Sequence, residues 1–122
     1  MSNSLRSAVD VTVCGRPAQI RPTFLALDRI EHRLGFGIPE LLSRLNAGDI
    51  RLGQLAVCVQ EGLRGAGFSG ANGKGDFASY EEIGEDVCEN FSRYVDAIAK
   101  FCGDALGKGT DLGKDLAPPP AP

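Results

Sequence analysis

The sequence of 122 residues has few of the groups on which most catalytic and metal sites depend. It contains no tryptophan, one methionine and one histidine, His32. A lone histidine excludes both H-E-x-x-H and its inverted form as metal-binding motifs. Zinc sites usually need paired cysteines, and no Cys-x-x-Cys is present. We therefore expect no metal and no cofactor, and we expect reduced thiols in the core at the four separate cysteines, Cys14, Cys58, Cys88 and Cys102.

The sequence also lacks an excess of basic residues and a long apolar run. Its formal net charge is −3 and its pI is about 5.1, so it has no electrostatic reason to bind nucleic acid or an anionic membrane. The N-terminal segment MSNSLRSAVDVTV has no apolar region typical of a secretion signal, and no stretch reaches the length of a membrane span. These absences predict a cytoplasmic protein with neither nucleic acid nor membrane as a partner.

Glycines are abundant instead, and they are concentrated in GLRGAGFSGANGKGDF, residues 62–77. The segment contains G-x-G-x-x-G at Gly65, Gly67 and Gly70, but a dinucleotide site needs a strand before these glycines and a helix after them. The preceding apolar residues have helical spacing. A phosphate-binding P-loop fails too, because Phe68 stands at its first glycine and Gly75 at its hydroxyl position. We predict that Gly62 lies near the end of a helix, where another part of the backbone packs closely against it. A loop that Phe68 and Phe77 anchor to the core then follows.

Periodicity predicts a mainly α (α+β) fold: an N-terminal β-hairpin, four or five helices and a disordered C-terminal tail. Val9, Val11 and Val13 alternate with polar residues, and Gly15-Arg16 offers a two-residue turn into a second strand. A break near Asn90 is preferred to one long final helix. The expected organisation is a flexible N-terminus at 1–8, one helical domain with the hairpin at 9–106, and a Pro/Gly-rich tail at 107–122.

Four segments carry the helix signals. The first helix follows Thr23 and ends at Gly35, and the second begins at Ile38-Pro39 and ends before Gly48. The third runs from about Leu52 to Arg64, and Ser79 with Glu82 forms a capping box that starts the fourth.

A charged group on the first helix could be interpreted as catalytic. Asp28, Glu31 and His32 share one helix face, where a carboxylate and an imidazole can exchange a proton. A solvent-exposed face with charge pairing is the favoured interpretation, because no second histidine and no nucleophile complete a site. The sequence therefore predicts no catalytic residue and no enzyme.

The order of the pieces resembles a known family. The strand pair is followed by FLALDRIEHRLG, a short leucine-rich helix, LAVCVQEGLRGAG, a loop and a closing helical segment. Over roughly residues 9–106 this order is similar to the gene transfer agent family of small phage tail proteins, which is grouped with tail assembly chaperones and also labelled as tail tube proteins. The most telling residues are Leu27, Ile30, Glu31, Leu34 and Gly35, and the segment 62–67.

The resemblance implies a non-enzymatic tail assembly chaperone in a bacterial host cell. Such a protein binds the tape measure protein during tail morphogenesis and covers its apolar stripe. Tail tube subunits and self-association are further implied partners. The predicted partner-binding surface consists of Phe36, Ile38, Leu41, Leu42 and Leu45, with burial in the protein's own core as the alternative.

A second hypothesis belongs to another class of protein. The chain could be a structural tail tube or tail-end subunit that adds its N-terminal hairpin to the sheet of a neighbour. A single strand pair argues against this hypothesis, because a tube needs a continuous sheet.

Overall fold

The computed structural model describes residues 8–68 and 77–107, which form a hairpin packed on five helices. The predicted N-terminal segment 1–8 and tail 107–122 fall almost wholly outside these residues, as does most of the glycine-rich loop. The elements in chain order are β1 (Val9–Val13), β2 (Arg16–Ile20), α1 (Phe24–Leu34), α2 (Ile38–Ala47), α3 (Leu52–Gly65), α4 (Tyr80–Glu89) and α5 (Phe91–Ala105).

The hairpin forms as its alternation predicts, but its turn lies one residue earlier. Val13 pairs with Arg16, so the two turn residues are Cys14 and Gly15, not Gly15 and Arg16. Both have positive φ, 53° and 78°. This is the conformation of a tight hairpin turn that follows the twist of the strands. Cys14 tolerates it because its backbone amide donates a hydrogen bond to Asp86 on α4, at 3.1 Å.

The helix ends agree closely with the capping signals. The Thr23 hydroxyl accepts a hydrogen bond from the Ala26 amide at the start of α1, and Gly35 ends that helix with a φ of 86°. Ser79 and Glu82 form the predicted capping box of α4. The helical segment breaks at Asn90, so α4 and α5 are separate helices, as the sequence predicted.

Helix α3 is the centre of the fold. It packs against α1, α4, β2 and α5, and its residues from Leu55 to Leu63 are all buried. The predicted close approach at Gly62 is confirmed, because a Cβ there would lie 2.7 Å from the Cβ of Ile20 and 3.2 Å from the ring of Phe101. At Gly65 a Cβ would collide with the carbonyl oxygen of Arg21.

Beyond α3, Phe68 and Phe77 anchor the two sides of the loop. They meet edge to face with ring centres 5.7 Å apart, and both pack against the core. Arg16 adds a hydrogen bond to the Phe77 carbonyl at 2.5 Å, which joins the start of β2 to the end of the loop.

Candidate interaction surfaces

The charged group of α1 has structural partners. The imidazole of His32 lies 3.6 Å from the carboxylate of Asp28, and the His32 side chain is 79% exposed. Glu31 accepts a hydrogen bond from the Ile38 amide at 2.8 Å, which joins the end of α1 to the start of α2. Asp28 and His32 therefore form a pair on the surface, and Glu31 connects α1 to α2.

The predicted partner surface divides into buried and partly exposed members. Ile38, Leu41 and Leu45 are 4%, 0% and 4% exposed and belong to the protein's own core, the alternative considered for the whole set. Phe36 and Leu42 pack against that core but keep part of their surface. Partner binding at this place stays a prediction, and these two residues are the members that could contact a partner without unfolding.

Phe36 is also partly covered from outside. The guanidinium of Arg44 lies 4.3 Å from the centre of its ring and forms an ion pair with Glu40, at 2.7 Å. A partner that bound Phe36 would have to displace or include this arginine.

The cysteines differ from one another in exposure. Cys58 and Cys102 are buried as expected, and burial raises both thiol pKa values, that of Cys102 to about 12. Cys14 is half-buried, and burial, followed by the nearby Asp86 carboxylate, raises its pKa. Cys88 is exposed on α4, so the prediction of a core thiol was wrong there. Within the described residues, no three histidine, cysteine or acidic side chains form a metal-binding cluster.

Helix α3 carries a buried ion cluster that the sequence analysis missed. Glu61 is 2% exposed, and its Oε2 accepts hydrogen bonds from Arg33 at 2.9 Å and Arg64 at 3.2 Å. Gln60 accepts a hydrogen bond from the same Arg33 guanidinium at 2.7 Å. In the sequence, Gln60 and Glu61 directly follow the apolar residues 55–59, a placement that could have signalled their burial. The cluster neutralises a carboxylate between α1 and α3 and thereby has a structural role.

The outer edge of β1 is capped by helices. The carbonyl oxygen of Thr12 accepts hydrogen bonds from Arg93 and from the Tyr94 hydroxyl, both at 3.0 Å. The single hydroxyl hydrogen of Tyr94 is shared between Thr12 and Asp86, the same carboxylate that accepts from the Cys14 amide. Burial and this hydrogen bond raise the pKa of Tyr94, so its hydroxyl stays protonated and can donate.

The outer edge of β2 is capped in a different way. Pro17 has no amide hydrogen to offer another strand. The amide of Arg21, just beyond the strand, donates to the carbonyl of Gly62 at 3.0 Å. Between these positions, Gln19 donates a side-chain hydrogen bond to Asp10 of β1, also at 3.0 Å. Thr12 on β1 and Pro17 on β2 are thus less suited to pairing with a neighbour's strand.

Large apolar side chains are exposed at two separate places. Phe24 and Leu25, in the first turn of α1, are 75% and 54% exposed. Leu52 of α3 and Tyr80 of α4 are each 45% exposed and line a shared cleft of about 440 Å³. Exposed apolar side chains that line a cleft are a feature of interaction surfaces.

Among residues 8–68 and 77–107, every helix is too short or too polar to cross a bilayer. The family model described as "Phage tail tube protein, GTA-gp10" matches residues 6–106. No curated protein matches the chain, and neither does any solved structure.

Proposed function

This chain belongs to the phage tail tube protein, GTA-gp10 family, and from that membership we propose that it is a non-enzymatic structural subunit of a phage or gene transfer agent tail. The match across residues 6–106 is the observation that carries the proposal, because it includes the whole of the described domain. The subunit is assembled in the bacterial host cytoplasm and remains in the tail tube or at the tail end.

The structure supports contacts with other tail subunits through helices. The exposed apolar residues lie on α1, α3 and α4, whereas hydrogen bonds within the chain hold the Thr12 carbonyl of β1 and the Arg21 amide beyond β2. Contact through helix surfaces therefore costs less than strand addition, which would first have to release Thr12 from Arg93 and Tyr94. This revises the hypothesis that the hairpin joins a neighbour's sheet.

Purified particles test the proposal directly. Particles from a producing strain are separated from free protein by density centrifugation, and the chain is quantified by mass spectrometry against the major capsid protein. A structural subunit is present at a fixed ratio in intact particles. Absence from intact particles, with the protein abundant in the producing cells, would refute the structural role. A free cytoplasmic enzyme added before centrifugation controls for carry-over.

A tape measure chaperone is the second candidate, and one observation favours it. The described residues contain a single two-stranded sheet, and hydrogen bonds within the chain already hold Thr12, Cys14 and Arg21. A continuous tube sheet needs strands that are free to pair. A helical protein could instead cover an apolar helix of the tape measure chain.

Substitutions at two adjacent leucines test the surface proposed for that role. Leu41→Asp should unfold the domain, with a loss of about 4 kcal/mol or more, because it buries an unpaired charge at a fully buried position. Leu42→Asp should leave the fold intact, since this side chain is only partly buried. Thermal melting by circular dichroism measures both changes.

Co-expression with the tape measure protein then separates the two roles. If the chain is a chaperone that uses this surface, the folded Leu42→Asp protein loses co-purification of the tape measure chain. If Leu42→Asp still binds, the surface lies elsewhere. If the wild-type chain never binds the tape measure protein but enters particles, the chaperone role is refuted and only the structural role is supported.

A further inference from the structure

The exposed pair at the start of α1 forms an apolar projection with a basic flank. Phe24 and Leu25 extend from the first turn, which the Thr23 cap holds in place. Arg29, one turn after Leu25, is exposed. Leu25, Arg29 and Arg64 line one small cleft of about 280 Å³. We call Phe24, Leu25 and Arg29 the α1 knob.

The cleft between α3 and α4 has complementary properties. Leu52 and Tyr80 provide apolar walls, and Gly84 leaves open space, with no atom within 4 Å of the position where a Cβ would stand. Along one side, Glu81, Glu85 and Glu89 are exposed at four-residue intervals, which places them in a row on one helix face. We call this surface the α3–α4 groove.

The two surfaces cannot satisfy each other within one molecule. The knob lies beside the C-terminal end of α3, where Gly65 contacts Thr23 and Ala26, whereas Leu52 and Gly53 of the groove are at its N-terminal end. A helix of 14 residues separates its two ends by roughly 20 Å. One molecule therefore cannot place its own knob in its own groove.

We propose that the α1 knob of one copy of this chain binds the α3–α4 groove of a second copy. Leu25 and Phe24 fill the apolar cleft beside Gly84, and Arg29 faces the row of glutamates. The charges of the two surfaces favour this occupant. The acids of the groove are Glu81, Glu85 and Glu89. Beside the knob, Glu61 is buried and bound by two arginines, and Asp28 lies 3.6 Å from His32.

The contact would join copies head to tail. Each bound pair still has one free knob and one free groove, so the association repeats and produces a ring or an open filament. The inference rests on the structural role proposed above and adds the surface through which copies meet.

Cysteine cross-linking tests the contact, because the native Cys88 lines the groove. In assembled particles or concentrated protein, Leu25→Cys treated with a short bismaleimide should give a ladder of dimers, trimers and larger species. Adding Cys88→Ser to Leu25→Cys should remove the ladder. Dimers that persist without Cys88 in a protein that also carries Cys14→Ser would mean that two knobs meet each other, and this result would overturn the head-to-tail contact.

Charge reversal provides a second measurement. Arg29→Glu and Glu85→Arg should each lower the cross-linked fraction at least about tenfold, the change expected from loss of about 1.4 kcal/mol. Mixing the two variants, each also carrying Leu25→Cys, should restore the ladder, because the reversed knob meets the reversed groove and the native knob of one variant meets the native groove of the other. Ser43→Asp, an exposed change on α2, is the matched control and should leave the ladder unchanged.

The two proposals fail in different ways. If the chain is absent from intact particles, the structural role fails. If it is present at a fixed ratio but Leu25→Cys gives no ladder in those particles, the structural role stands and this contact is wrong.

Discussion

Helices α3 and α4 lie side by side, yet their glycines and acids have opposite surroundings. A methyl group at Gly62 of α3 would overlap Ile20, whereas the corresponding space at Gly84 of α4 is open. Glu61 of α3 is buried between two arginines, whereas Glu85 of α4 faces solvent. The same residue types thus maintain the core in one helix and line an accessible cleft in the other.

The difference shows where change should be tolerated. In α3, Gly62 and Glu61 are fitted to neighbours on β2, α5 and α1, so substitution removes or compresses a contact. In α4 the outer residues have water on one side, so substitution should alter binding and leave folding intact. Paired variants at matched residue types can test this contrast.

The largest difference in the free energy of unfolding is expected between variants of the two glutamates, Glu61 and Glu85. Glu61→Ala should lower the free energy of unfolding by about 3 kcal/mol, because it removes one member of a buried ion cluster and leaves Arg33 and Arg64 facing each other. Glu85→Ala should change it by no more than about 0.5 kcal/mol. Urea unfolding followed by circular dichroism measures both. Equal losses would show that Glu61 does not stabilise the core.

The glycines should give effects of opposite sign. Gly62→Ala should cost about 1–2 kcal/mol, because overlap with Ile20 outweighs the better helix propensity of alanine. Gly84→Ala should stabilise the protein by about 0.5–1 kcal/mol, since the methyl group meets no neighbour and alanine favours a helix interior. Thermal melting of the two variants decides the matter, and stabilisation by Gly62→Ala would contradict the close approach of α3 to β2.

The smallest perturbation is thiol labelling of the unmodified protein. Cys88 should react with a maleimide quickly at neutral pH, and Cys14 more slowly, because it is half-buried with a raised pKa. Cys58 and Cys102 should react only after unfolding, since burial raises their pKa values and keeps both thiols neutral and inaccessible. Peptide mapping after timed quenching gives the order. Early labelling of Cys58 would indicate that α3 is less enclosed than described.

Much of the fold could be predicted from local signals. The alternation of Val9 with Val13, the cap at Thr23 and the capping box of Ser79 each depend on a few neighbouring residues, and each is confirmed. The predicted position of the turn was wrong by one residue. The hydrogen bond that stabilises Cys14 in its left-handed conformation joins its amide to the carboxylate of Asp86, 72 residues away. Nothing local in the sequence carries that information.

The candidate surface was harder to predict for the same reason. Leu41 and Leu42 are adjacent and chemically identical, yet one is enclosed and the other partly open, and only the position of α2 on the fold separates them. Phe24 has the helical spacing of the apolar stripe that Leu27, Ile30 and Leu34 continue, but its position in the first turn of α1 places it outside the core.

The capped edges of the hairpin have a consequence for the unassembled protein. A structural subunit of the kind proposed above is needed in many copies, so free copies would accumulate before assembly. An uncovered strand edge would then template cross-β stacking and irreversible precipitation. Because Tyr94 and Arg93 hold the Thr12 carbonyl of β1, while Pro17 and the Arg21 amide limit pairing at β2, these contacts should hinder that outcome in free copies.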